Sequence, residues 1–147
     1  MQLRTRWLPI IFFALAGCGE EAADLPKAPQ LFTDRDEMSF NREFDSGIFL
    51  NTTGFNSLVL ENRGEDTLQI TDITMAAPSE FKLQVPEGFV AGTPFPLETY
   101  KRAFITVAFT PKAAREYQGT LTIKSNAANT PEKVIVLSGK GVDPNAP

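Results

Sequence analysis

Side chains able to do covalent or acid–base chemistry are scarce in this chain of 147 residues. It has no histidine and one cysteine, Cys18. Histidine bases, His/Cys zinc cages and a disulfide within one chain are thereby excluded. Ser, Thr and Lys remain as nucleophiles, but no G-x-S-x-G elbow is present. The glycines form neither a phosphate loop nor a dinucleotide fingerprint. Paired carboxylates could serve a glycosidase. Here they fall at Glu20-Glu21, at Asp34, Asp36 and Glu37, and at Glu65-Asp66, in segments that read as linker or turn. Asp34, Asp36 and Glu37 also lack the spacing and terminal Glu of a calcium loop. The expectation is a chain that is not an enzyme, with no metal and no cofactor.

Cys18 is the one reactive group in an ordered context. Arg4 and Arg6 precede an apolar run from Trp7 to Ala16 that only Pro9 interrupts. These are the charged and apolar regions of a secretory signal. As a helix, about ten residues span roughly 15 Å, half of a bilayer core and too short for a membrane-spanning anchor. The run ends Leu15-Ala16-Gly17-Cys18, with small residues before a cut and a cysteine after it. This tetrad resembles a bacterial lipobox, in which the thiol is acylated and the cysteine becomes the new amino terminus. The resemblance implies a lipoprotein signal peptide at 1–17 and a membrane partner held through lipid on Cys18. Acyl chains anchor by burial, at ~0.8 kcal/mol per CH₂. The domain would face the periplasm or the exterior of the cell envelope. Gly19 does not resemble the aspartate that retains enteric lipoproteins at the inner membrane, so the outer membrane is expected. The alternative is an ordinary signal peptide with an incidental cysteine.

Charge is distributed unevenly. Residues 19–45 hold eight acidic and three basic side chains, while 46–147 hold ten and nine. With no basic run beyond the first six residues and a net charge of −4, nucleic acid is not an expected partner. Residues 18–37 mix Glu, Ala, Asp and Pro without apolar period, which predicts a disordered acidic tether.

Beyond the tether, apolar residues recur at the period of half-buried strands. Ile105, Val107 and Phe109 alternate, and Pro111 stops them. Tyr117, Gly119, Leu121 and Ile123 share one face. Val134–Leu137 is continuously apolar and runs out into Gly139 and Gly141. Upstream, Leu58 pairs with Leu60 and Phe81 alternates with Leu83 and Val85. Leu68 and Ile70 are out of step with Ile73 and Met75, which predicts a bulge near Thr71-Asp72. Seven or eight strands with no amphipathic helix predict a single antiparallel β-sandwich over 38–142, followed by a disordered tail at 143–147.

The closing half also carries a family resemblance. Val107-Ala-Phe109-Thr-Pro111, Tyr117, Leu121-Thr-Ile123-Lys-Ser125-Asn126, Pro131 and Leu137-Ser-Gly139-Lys-Gly141 follow one another in the order of an ASH-type domain. Such domains are immunoglobulin-like sandwiches related to major sperm protein and Hydin modules, and are met in "choice-of-anchor D"-like bacterial proteins. Asn62-Arg-Gly64 fits the same pattern at the end of an early strand. Loop positions depart from it, at Asn126–Pro131 and at Leu97–Tyr100. The resemblance implies a binding or scaffolding module with an envelope protein partner. A periplasmic carrier or chaperone-like domain for a peptide or small ligand is the alternative, and a deep apolar pocket between the sheets would favour it. Tyr117 resembles the tyrosine corner of these sandwiches.

One stretch is too apolar for its punctuation. Between Val85 and Tyr100 stand three prolines and two glycines, which forbid a regular central strand and predict a long loop at one end of the sandwich. Yet it carries Phe89, Val90, Phe95 and Leu97. Phe89 and Phe95 either plug the core or form a partner-binding loop.

Overall fold

The computed structural model describes residues 24–41 and 46–145. Ten strands run in chain order: β1 (Leu31–Thr33), β2 (Glu37–Ser39), β3 (Ile48–Phe49), β4 (Gly54–Asn62), β5 (Leu68–Ala76), β6 (Phe81–Gln84), β7 (Phe95–Leu97), β8 (Arg102–Phe109), β9 (Glu116–Ser125) and β10 (Glu132–Val142). They form two sheets, ordered β1-β4-β8-β6 and β2-β10-β9-β5-β7, with β3 also paired to β10. This is the expected all-β immunoglobulin-like sandwich. The strands beyond the expected eight are pieces of two or three residues, too short to show a period. Pairing is antiparallel throughout except that β2 and β3 lie parallel to β10.

Alternation places the core where the sequence puts it. Phe109, Leu121, Ile123 and Leu137 are fully buried, as are Leu58, Leu60, Ile105, Val107 and Ile135. The continuous run in β10 is an alternating strand: Ile135 and Leu137 face in, while Val134 and Val136 stand half-exposed on the outer face. The register between β5 and β9 shifts between Ile70 and Asp72, so Ile73 returns to the core. At one end Phe40, Phe81, Phe109 and Tyr117 form an aromatic cluster, with Phe81 and Phe109 stacked at 4.6 Å. Gly139 is needed there, since a Cβ would lie 2.7 Å from the Phe109 ring. The Tyr117 hydroxyl accepts from the Ala113 amide at 3.0 Å, which is the tyrosine-corner arrangement.

The described part of the expected tether is a correction. Residues 26–37 belong to the domain, whose boundary moves from Met38 back to about Pro26. The carbonyls of Pro26 and Lys27 accept from the Glu65 and Asp66 amides, each at 2.9 Å, and β1 pairs with β4 from Leu31 to Thr33. Gly64 lets this segment pass, because a Cβ there would collide with Ala28 and Gln30. Met38 and Phe40 alternate and are both buried, whereas Leu31 carries no period and its burial depends on partners far away in sequence. At the other end Asp143 and Asn145 close a small turn, with the Asn145 amide donating to Asp143 at 2.9 Å.

Candidate functional site

Leu15, Ala16, Gly17 and Cys18 lie outside the described residues, so the lipidation motif stands on its sequence alone. The other sequence-predicted site residues, Phe89 and Phe95, lie in a segment whose position differs from expectation. It is a crossover between the two sheets, and its last part is the short strand β7 rather than loop. β6 is an edge of one sheet and β7 an edge of the other, so the segment between them joins the two sheets.

Phe89 and Phe95 pack against the core cluster. Both are half-buried against the core, with ring centroids 6.2 Å apart in an edge-to-face contact. Leu97 is buried, whereas Val90 is 62% exposed and Val85 40%. Pro96 occupies an edge position, where a missing amide hydrogen is tolerated: β7 is an edge strand, paired with β5 alone. Leu83, just before Val85, is half-buried against the core.

The far end of the crossover is held by Asn62, which is fully buried. Its Nδ2 donates to the carbonyls of Leu97 (3.0 Å) and Asp66 (2.9 Å). Its Oδ1 accepts from the amides of Gly64 (2.9 Å) and Gln30 (3.3 Å). Its carbonyl takes the Tyr100 amide at 2.8 Å. Tyr100 is thereby fixed at a φ of 60°, uncommon for an aromatic residue, with its side chain mostly exposed.

Beside it lies an ionic cluster that no sequence pattern announced. Glu61 is almost fully buried on the outer face of β4 and is paired with Arg63 at 2.8 Å and with Arg102. The hydrogen bond from Arg63, with that from Arg102, holds its carboxyl below the usual glutamate range. The Arg63 guanidinium also stacks 3.3 Å from the Phe32 ring centroid. The carboxylates Asp34, Asp36 and Glu37 are separately engaged. Asp34 takes the Val59 amide at 2.9 Å and pairs with Arg35, Asp36 pairs with Lys133, and Glu37 takes the Ser138 hydroxyl at 2.8 Å. Among the described residues no three acidic, cysteine or histidine side chains gather into a metal site. A Ser-x-x-Lys spacing does occur, at Ser79-Glu-Phe-Lys82, but Ser79 lies in a turn and Lys82 on a strand. The Ser79 hydroxyl donates to Glu80 at 3.4 Å.

No protein-family model matches the chain, and no curated protein does. Solved structures do resemble it. The ASH/PapD-like domain 7 of human CEP192 superposes with a TM-score of 0.55 at 14% identity, over 90% of this chain and 99% of that one. A protein of unknown function from Porphyromonas gingivalis W83 gives a TM-score of 0.60 at 12% identity, over 81% of this chain and 50% of that one. The secreted serine protease VesC of Vibrio cholerae gives 0.54 at 13% identity, and this chain spans 24% of its length. At such identities the likeness is one of fold. The chain folds as an ASH-like immunoglobulin β-sandwich.

Proposed function

We propose that this protein is a lipid-anchored, non-catalytic binding or scaffolding module of a bacterial cell envelope. The observation that carries the reading is the tetrad Leu15-Ala16-Gly17-Cys18, with the chain's only cysteine at its last position. Lipid on Cys18 would tether the domain to a membrane, the outer one by the Gly19 argument, facing the periplasm or exterior. The partner would be another envelope protein. A filled interior supports binding at the surface over the carrier alternative: Leu58, Ile105, Leu121 and Ile135 are fully buried between the sheets. The hollow lined by Ala114, Arg115, Glu116, Lys140 and Val142 opens at the surface instead.

The test is Cys18→Ala in the full chain, with an acyl label and membrane fractionation. The expected result is an unlabelled precursor and release of the domain, while the wild type stays labelled and membrane-bound. Equal retention of both proteins with no label on the wild type would sink the reading.

A further inference from the structure

The edges of the two sheets are treated differently. On β1, Asn129 acts as a surrogate strand: its Oδ1 accepts from the Leu31 amide at 2.9 Å and its Nδ2 donates to the Leu31 carbonyl at 2.8 Å. On β7 the middle residue is Pro96. Gln69, its partner in β5, turns its amide and carbonyl toward Asn126, so Pro96 presents its hydrogen-free nitrogen to the outside. On β2 the Ser39 carbonyl accepts from Asn56 Nδ2 at 2.9 Å. These are devices that stop another chain from pairing.

Edge β6 is short and carries Lys82, but among the described residues no side chain bonds its backbone and no proline interrupts it. The Thr110 amide donates to the Glu80 carbonyl at 2.9 Å, and Phe81 lies opposite Phe109. Alternation then directs Lys82 and Gln84 at β8, and turns the amide and carbonyl of Leu83 outward. The Phe81 amide is already taken by the Pro78 carbonyl at 3.0 Å. Leu83, half-buried, and Val85, 40% exposed, continue an inner apolar row past the end of the core.

We infer that β6 is a docking edge for an extended segment of a partner protein, added antiparallel with one of its residues exchanging both backbone bonds with Leu83. This rests on the binding-module reading and names its surface. A second copy of this chain is the weaker occupant. Four residues of edge are about 13 Å long and fall far short of the roughly 800 Å² per partner of a stable dimer. Twofold pairing about Leu83 would also set Lys82 diagonal to its own copy. The register defines the segment's chemistry. Apolar residues would lie opposite Val85, Leu83 and Phe81. The residue after the one opposite Leu83 would be Asp or Glu, facing Lys82.

A photo-crosslinking benzoylphenylalanine at position 84 tests this in the full lipidated chain in its own envelope, with the same probe at Gln118 on the other sheet as control. Adducts are mapped by mass spectrometry. The expected result at position 84 is adducts on one contiguous segment with that alternation, absent at position 118. Leu83→Pro removes an outward amide hydrogen without touching the ladder to β8, and should lower adduct yield about tenfold, as loss of one backbone bond does. Leu83→Val should leave the yield unchanged. Val85→Glu, at an exposed position, should also abolish it and covers the case in which the proline variant fails to fold. Adducts scattered over many proteins, adducts to lipid or to a second copy, or a yield indifferent to both Leu83→Pro and Val85→Glu would overturn the proposal. Repeating the mapping in Cys18→Ala separates the two readings, because release from the membrane with position 84 still captured would leave the edge assignment standing.

Discussion

The Asn62 side-chain amide donates to the Leu97 carbonyl at 3.0 Å across 35 positions of sequence. This bond fixes the chain just after the β6–β7 crossover to the strand that carries Asn62. With its other partners, Asn62 ties together the amino-terminal segment, the turn at 62–66 and the start of β8.

Asn62→Leu should therefore be among the most damaging single substitutions. It would strand the Leu97 and Asp66 carbonyls and the Gly64 and Gln30 amides away from a partner. The expected loss is about 2–4 kcal/mol in urea denaturation. A loss below about 0.5 kcal/mol, the range of ordinary surface changes, would show that water replaces the side chain without difficulty.

The strand register is tested by neighbours on β9. Leu121→Ala empties a fully buried site and should cost about 2–5 kcal/mol. Thr122 points to the outer face, and Thr122→Ala should cost less than about 1 kcal/mol. The opposite ranking would mean a register wrong by one residue.

Phe89 and Phe95 pack half-buried against the core, so replacing both with alanine should lower stability by several kcal/mol, on the order of 3–5 for the pair. Val90→Ala, beside them but mostly exposed, should leave the unfolding midpoint nearly unchanged. If the double variant is as stable as wild type, the rings do not close the core, and an anchoring role for a partner gains ground.

Glu61 makes acid sensitivity specific. Its carboxyl titrates lower folded than unfolded, chiefly through Arg63 and then Arg102. Its contribution is therefore present above the unfolded glutamate value and is lost as pH falls through the folded one. Glu61→Gln should flatten that part of the stability–pH curve while leaving the slope above neutrality unchanged. Parallel curves for the two proteins would exclude a role for this cluster in acid stability.

The sequence by itself determined the sandwich, most of its inward-facing residues and the bulge between Ile70 and Asp72. Alternation is a local property: Ile105, Val107 and Phe109 declare their face without knowing what covers it. The reading of Cys18 and the three residues before it rests on a linear string alone and stays a proposal. Only the tertiary structure decided that residues 26–37 belong to the domain, since Leu31 is held by Asn129 from 98 positions away. It also decided that 85–94 joins an edge strand of one sheet to an edge strand of the other, since edges are set by which distant strands pair. Glu61 between Arg63 and Arg102 was likewise invisible, because Arg102 comes beside it only when β8 pairs with β4 in this register. Contacts made across long sequence separations leave no local period, and the surfaces of this fold are built from such contacts.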